Sequence, residues 1–165
     1  MARLTPCYIG LGSNLGDRER NLHTAVKLLG QAVGHVEQVS RFYETPPWGE
    51  TSVETYPYLN AAARLNTRLD AEEVLAELQE IEAALGRART VQNAPRTIDL
   101  DLLFFGRQVI VSDELTVPHP RIALRKFVLV PLTDIDPQLV HPVSGKSIAE
   151  LLAACQDETQ VTPLV

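Results

Sequence analysis

Eleven residues from Pro95 to Phe105, reading PRTIDLDLLFF, constrain this chain more than any other stretch. Side chains alternate across a strand, so Ile98, Leu100, Leu102 and Phe104 share one face and Asp99 and Asp101 share the other. Same-face neighbours stand roughly 6.5 to 7 Å apart. That separation lets two carboxylates share one or two Mg²⁺ ions through hard oxygen ligands. A half-exposed edge strand with two solvated acids shows the same pattern, so the surroundings must decide.

The chain has 165 residues, 45% of them hydrophobic. That predicts one domain, residues 1–165, burying about 70% of its unfolded surface. Its net charge of −6 gives a field that attracts neither nucleic acid nor an anionic membrane. Any anionic ligand must therefore be held locally. Cys7 and Cys155 are far apart and in no CxxC pattern, which fits buried, reduced thiols. No basic segment precedes an apolar one at the start, and no apolar run approaches the ~20 residues of a membrane helix. The expectation is a soluble cytoplasmic monomer.

Cys7 to Leu11 reads as a strand ending in the turn cluster Gly12 to Asp17. Leu22, Ala25, Val26 and Leu29 recur at helical spacing, with Gly30 or Gly34 available as a left-handed cap. Val36 to Glu44 reads as a strand, the prolines after Thr45 leave the sheet, and Tyr58 to Thr67 forms a third strand. Asp70 with Glu73 opens a helix whose Val74, Leu78, Ile81 and Leu85 face inward until Gly86. The Ile98 to Phe105 strand follows. This βαββαβ order predicts an α+β, ferredoxin-like fold: a mainly antiparallel sheet with helices on one face and the other face partly open. Val109 to Val111 adds a short strand. Phe127 to Leu132, helical despite Pro131, and a helix from the Ser147/Glu150 capping box through Leu151, Leu152 and Cys155 form C-terminal helical additions.

Two glycine patterns carry no chemistry. Gly10, Gly12 and Gly16 are spaced one residue too long for a dinucleotide fingerprint, and Gly145-Lys146-Ser147 has Val140 where a phosphate loop needs its first glycine. Charge is more telling. Arg87 to Ile98 holds Arg87, Arg89 and Arg96 with no acid, and Leu115 to Thr133 holds Arg121, Arg125 and Lys126 with none. Either window alone is ordinary solvated surface, but two of them flanking an acid pair describe a site for a nucleoside triphosphate. The histidines lack zinc-site spacing; His119 suits either a phosphate contact or a turn cap. Glu82 falls on the inner side of its helix and needs a partner there. A palm-like Mg²⁺-dependent nucleotidyltransferase and a non-catalytic ferredoxin-like binding module also fit these residues.

Beyond these patterns, the chain resembles the 6-hydroxymethyl-7,8-dihydropterin pyrophosphokinases. The resemblance rests on Tyr8 to Gly16, Tyr43 to Gly49, Tyr58 to Ala62, Gly86-Arg87, Pro95 to Asp101 and Leu115 to Arg121, in family order and spacing. It implies transfer of pyrophosphate from ATP to the pterin hydroxymethyl group, with release of AMP, in folate biosynthesis. Asp99 and Asp101 would hold two Mg²⁺ ions, with Arg87 and Arg96 joining them as catalytic residues at the phosphates. Arg89, His119 and Arg125 would support the triphosphate, and Gln79, Glu82 and Ile98 would lie at the nucleotide. Tyr58 and Phe127 would sandwich the pterin ring, with Asn60, Thr45, Pro46, Trp48 and Gly12 around its edge. Trp48, Asn93, Glu114 and Pro120 depart from the residues some members carry at those positions.

Overall fold

The computed structural model describes residues 3–46, 57–86 and 97–164. Its main sheet is built from β1 (Thr5–Ser13), β2 (Gly34–Val39), β3 (Tyr43–Thr45), β4 (Tyr58–Thr67), β5 (Asp99–Phe105) and β8 (Thr162–Pro163). The strand order is β5-β1-β4-β3-β8, with β2 also pairing β4, and every pairing is antiparallel. With α1 (Arg18–Ala32) and α2 (Ala71–Ala84) as the crossovers, this is the expected ferredoxin-like arrangement. A separate ribbon pairs β6 (Ile110–Val111) with β7 (Thr116–Val117). A 3₁₀ turn, Ile122–Leu124, leads to α3 (Lys126–Ile135), followed by α4 (Ile148–Ala154).

Both capping boxes form: Asp70 and Glu73 bond reciprocally at the start of α2, and Ser147 and Glu150 at the start of α4. Gly86 ends the second helix with φ +83°. At α1 the expectation fails. Neither Gly30 nor Gly34 has positive φ; the helix runs to Ala32 and Val33 closes it. Gly34 instead opens β2, where the space is the constraint: a Cβ there would lie 2.1 Å from the Asn66 carbonyl oxygen of β4. The single strand expected over Val36 to Glu44 is two, β2 and β3, separated at Ser40 to Phe42. β1 is longer than expected and takes in Gly12 and Ser13, because Gly12 pairs with both Asn60 and Asp99.

One face of the sheet meets α1 and α2. Cys7, Ile9 and Leu11 of β1, Leu59, Ala63 and Leu65 of β4, and Leu100 and Leu102 of β5 pack there against Leu22, Leu29, Val74 and Leu78. At about 25 cal/mol per Å² of apolar surface, this burial is the main source of stability. The opposite face is not simply open. α3 and α4 cover part of it, with Leu129, Leu132, Ile148 and Leu151 against Tyr8, Ala62, Leu103 and Phe104.

Phe104 belongs to that second face, contrary to strict alternation. The β1–β5 pairing slips between Tyr8 and Ile9, so Phe104 pairs with Tyr8 and Leu102 with Ile9, leaving Leu103 as the extra residue of a bulge. Leu103 and Phe104 therefore both enter the second cluster, and Phe105 returns to the first. Cys7 is fully buried and Cys155 half-buried; neither forms a disulfide. Among the described residues no helix is long and apolar enough to cross a membrane.

Candidate active site

The uncovered part of the second face is a cleft of about 700 Å³. Its floor follows from strand register. Directly paired residues put their side chains on the same face, so Asp99, Gly12, Asn60 and Tyr43 form one row across four strands, and Asp101, Gly10 and Ala62 form the next. Glycines lie at the centre of both rows, and their missing side chains make the depression. A Cβ on Gly12 would come 3.0 Å from Asn60 Oδ1 and 3.6 Å from the Tyr58 ring. The Asn60 carbonyl oxygen thus lies over Gly12, while its Nδ2 donates to Thr45 Oγ1 at 2.8 Å. Asn60 and Thr45 are both buried, so this bond holds the amide in one orientation.

Asp99 and Asp101 stand on one side of the glycines, half-buried and both lining the cleft. Glu82, nearly buried on α2, accepts a hydrogen bond from the Leu100 backbone N–H at 3.0 Å, tying the helix to the strand between the two acids. His119, whose backbone N–H donates to the Leu103 carbonyl of β5 at 3.0 Å, and Arg125 line the same cleft. Burial pushes the His119 pKa down, with the Asp101 charge working the other way and Arg125 and Arg121 adding to the lowering. Its Nδ1 accepts from the Arg121 backbone N–H at 3.2 Å. His119 therefore caps its turn and also lines the cleft, and a neutral ring with Nδ1 accepting carries its proton on Nε2. Burial likewise lowers the Arg125 pKa, opposed by the charge of Asp101 and then by that of Asp99. Its guanidinium carbon lies 5.7 Å from the centre of the Phe127 ring.

Phe127 enters from the first turn of α3. The far end of that helix is fixed by Asp134, which accepts from the Tyr43 hydroxyl at 2.6 Å and from the Arg41 backbone and side chain.

Of the residues singled out from sequence, the cleft brings together Gly12, Thr45, Pro46, Tyr58, Asn60, Gln79, Glu82, Asp99, Asp101, His119, Arg125 and Phe127. Ile98 is fully buried in the core on the α1/α2 side. Arg87, Arg89, Arg96 and Trp48 lie outside the described residues. Sequence reasoning missed Leu103, which reaches the cleft through the bulge, and Glu158, Thr159 and Gln160, which line it from the chain's last segment. No spacing rule marks those three.

Residues 8–137 match the 7,8-dihydro-6-hydroxymethylpterin-pyrophosphokinase (HPPK) family. The chain belongs to this family. Among its relatives is a Bacillus subtilis 2-amino-4-hydroxy-6-hydroxymethyldihydropteridine pyrophosphokinase, 48% identical over 133 residues, covering 80% of this chain and 78% of that one. A Methylorubrum extorquens protein of the same name is 41% identical over 151 residues, covering 91% and 93%. The folic acid synthesis protein fol1 of Pneumocystis carinii is 44% identical over 142 residues, 86% of this chain but 19% of the fungal protein. A Plasmodium falciparum HPPK-DHPS structure shares the HPPK fold at TM-score 0.76 and 16% identity, over 92% of this chain and 45% of that one. The chain thus spans less than half of those two longer proteins.

Proposed function

We propose that this HPPK-family chain is an ATP-dependent enzyme of folate synthesis. It transfers pyrophosphate from ATP to the hydroxymethyl group of 6-hydroxymethyl-7,8-dihydropterin, releasing AMP and the pterin diphosphate. One observation carries the assignment at the level of the site: across Gly12, the same row of the sheet holds a carboxylate on one side and an oriented amide on the other. A flat heterocycle with a polar edge needs an amide that donates and accepts, together with stacking faces. Asn60 supplies the first, with Thr45, Pro46 and Gly12 beside it. Tyr58 and Phe127 supply the second, and Trp48 joins the edge group by family resemblance. Gln79, Glu82 and Ile98 are assigned to the nucleotide side.

Asp99 and Asp101 would hold Mg²⁺. The fit is chemical: both are hard oxygen donors on one strand face, and both line the cleft. Mg²⁺ is commonly held by one or two carboxylates plus substrate phosphates. When bound, two such ions, held by Asp99 and Asp101, would neutralise triphosphate charge. His119 and Arg125 would donate hydrogen bonds to the phosphates, as would Arg87, Arg89 and Arg96 by family resemblance. Acceleration then comes from positioning and electrostatics, with the pterin hydroxyl held in line with the phosphorus it attacks. Action as a cytoplasmic monomer on small molecules, with no nucleic-acid or membrane partner, completes the proposal.

The products test it. Incubation with ATP, Mg²⁺ and 6-hydroxymethyl-7,8-dihydropterin should yield AMP one-for-one with a pterin diphosphate by phosphorus NMR. ADP and a monophosphorylated pterin would instead mean γ-transfer at the same site.

A further inference from the structure

The segment after α4 lies beyond residues 8–137, yet it runs along one wall of the cleft. Its residues are mostly exposed, including Gln156, Glu158, Gln160, Thr162 and Pro163. Apolar burial therefore does not explain its course. Polar ties at two places do.

The first tie is at α3. That helix has no side-chain cap from its own N-cap residue, Arg125, although the first-turn N–H groups of a helix need acceptors. Asp157, distant in sequence, provides one: its Oδ2 accepts from the Lys126 backbone N–H at 3.0 Å. Its Oδ1 accepts from the Thr159 backbone N–H at 2.9 Å and from the Thr159 hydroxyl. The carboxylate also places negative charge at the positive end of the helix. The residue after Lys126 is Phe127. The second tie is at β3, where Thr162 and Pro163 pair with Glu44 and Tyr43, and the Leu164 N–H donates to the Phe42 carbonyl at 2.8 Å. The strand fixed in this way presents Thr45. Between the ties, Glu158, Thr159 and Gln160 line the cleft.

We propose that residues 156–164 form a positioning strap for the pterin end of the site, with Asp157 setting the first turn of α3, and so Phe127, relative to Thr45. The inference rests on the pterin assignment made above. Asp157 acts through Phe127 and touches no reacting atom. Its removal should loosen the heterocycle more than the nucleotide, which Arg125 at the same helix start also serves.

The test compares wild type with Asp157→Ala, Asp157→Asn and Thr159→Val in the full chain. 6-Hydroxymethylpterin fluorescence and a non-hydrolysable ATP analogue with Mg²⁺ serve as separate probes. Asp157→Ala should weaken pterin binding and raise the pterin KM about five- to tenfold, with kcat and analogue affinity within about twofold of wild type. The α3 first-turn amides should exchange hydrogen faster. Asp157→Asn, which keeps an acceptor but loses the charge, should fall between, and Thr159→Val should follow it. Equal loss of both ligands together with a lowered Tm would mean a merely structural role and overturn the strap. So would unchanged pterin affinity in the three variants, or in Asp157→Asn and Thr159→Val should Asp157→Ala not fold. Failure of the wild type to bind pterin would remove the pterin assignment, and the strap with it. Wild-type binding with unaffected variants removes the strap alone.

Discussion

The two faces of the sheet come from the same three strands, β1, β4 and β5, and do opposite things. Toward α1 and α2, the strands present cysteine, isoleucine, leucine and alanine, and the helices close over them completely. Toward the cleft, β1 presents Tyr8, Gly10 and Gly12, β4 presents Tyr58, Asn60 and Ala62, and β5 presents Asp99, Asp101 and Leu103. Apolar volume is missing at the centre of that second face, so α3 and α4 cover only the part over Tyr8 and Phe104. Two acids on a fully packed face would each cost several kcal/mol in desolvation. On the cleft face, where Asp99 and Asp101 are only half-buried, that cost is smaller. Stability is thereby assigned to one side of the sheet and chemistry to the other, and substitutions should divide accordingly.

The largest effect belongs to the acids. Asp99→Asn or Asp101→Asn should lower kcat about 100-fold or more, roughly 3 kcal/mol of transition-state stabilisation. The fold should stay intact, because neither side chain belongs to a packed core cluster. Normal turnover by both variants at saturating Mg²⁺ would break the division outright.

Next comes a glycine pair that separates the faces. Gly34→Ala pushes a Cβ against the β4 backbone at 2.1 Å. It should cost about 3 kcal/mol and so lower Tm by about 6 to 12 °C at 2 to 4 °C per kcal/mol. The folded fraction should keep its pterin KM. Gly12→Ala presses on the Asn60 oxygen at 3.0 Å and on Tyr58. It should cost about tenfold in pterin affinity, about 1.4 kcal/mol, with little change in melting or in ATP affinity. If Gly12→Ala melts early and binds pterin normally, the glycine serves packing instead.

The smallest effect sharpens the packed side. Burial pushes the Cys7 thiol up to about 12, so at pH 8 almost none of it is thiolate, the reactive form. A thiol reagent should modify Cys155 readily and Cys7 only as fast as the protein opens. Rapid native-state labelling of Cys7 would mean that the α1/α2 face is less closed than its burial indicates.

Much of this division was legible beforehand. The acid pair, the two capping boxes and, apart from the splitting of its second strand, the βαββαβ order are local signals, each with one dominant physical cause, and all appear in the structure. What escaped depends on partners far away in sequence. Gly34 is a glycine because of Asn66 on another strand, not because of its own φ. Phe104 changes face because β5 carries one extra residue, Leu103, in its pairing with β1. Asp157 caps a helix that begins 31 positions earlier. Among the site residues, Asp99 and Asp101 followed from alternation and Gly12, Thr45, Tyr58 and Asn60 from the family resemblance, whereas the lining by residues 158–160 is set only by where the returning chain crosses.

The bulge at Leu103 also determines where the gene encoding this chain can change length. Between Leu102 and Phe105 the pairing already carries one surplus residue, so a further single-codon insertion or deletion there meets a ladder that is locally interrupted. Between Ile98 and Leu102 no such slack exists. One added codon in that stretch would exchange the two sides of the strand, turning aspartates into the oily layer and leucines into the cleft. Length variation among natural homologues should therefore collect on the Phe105 side of the strand and be nearly absent on the Asp99 side.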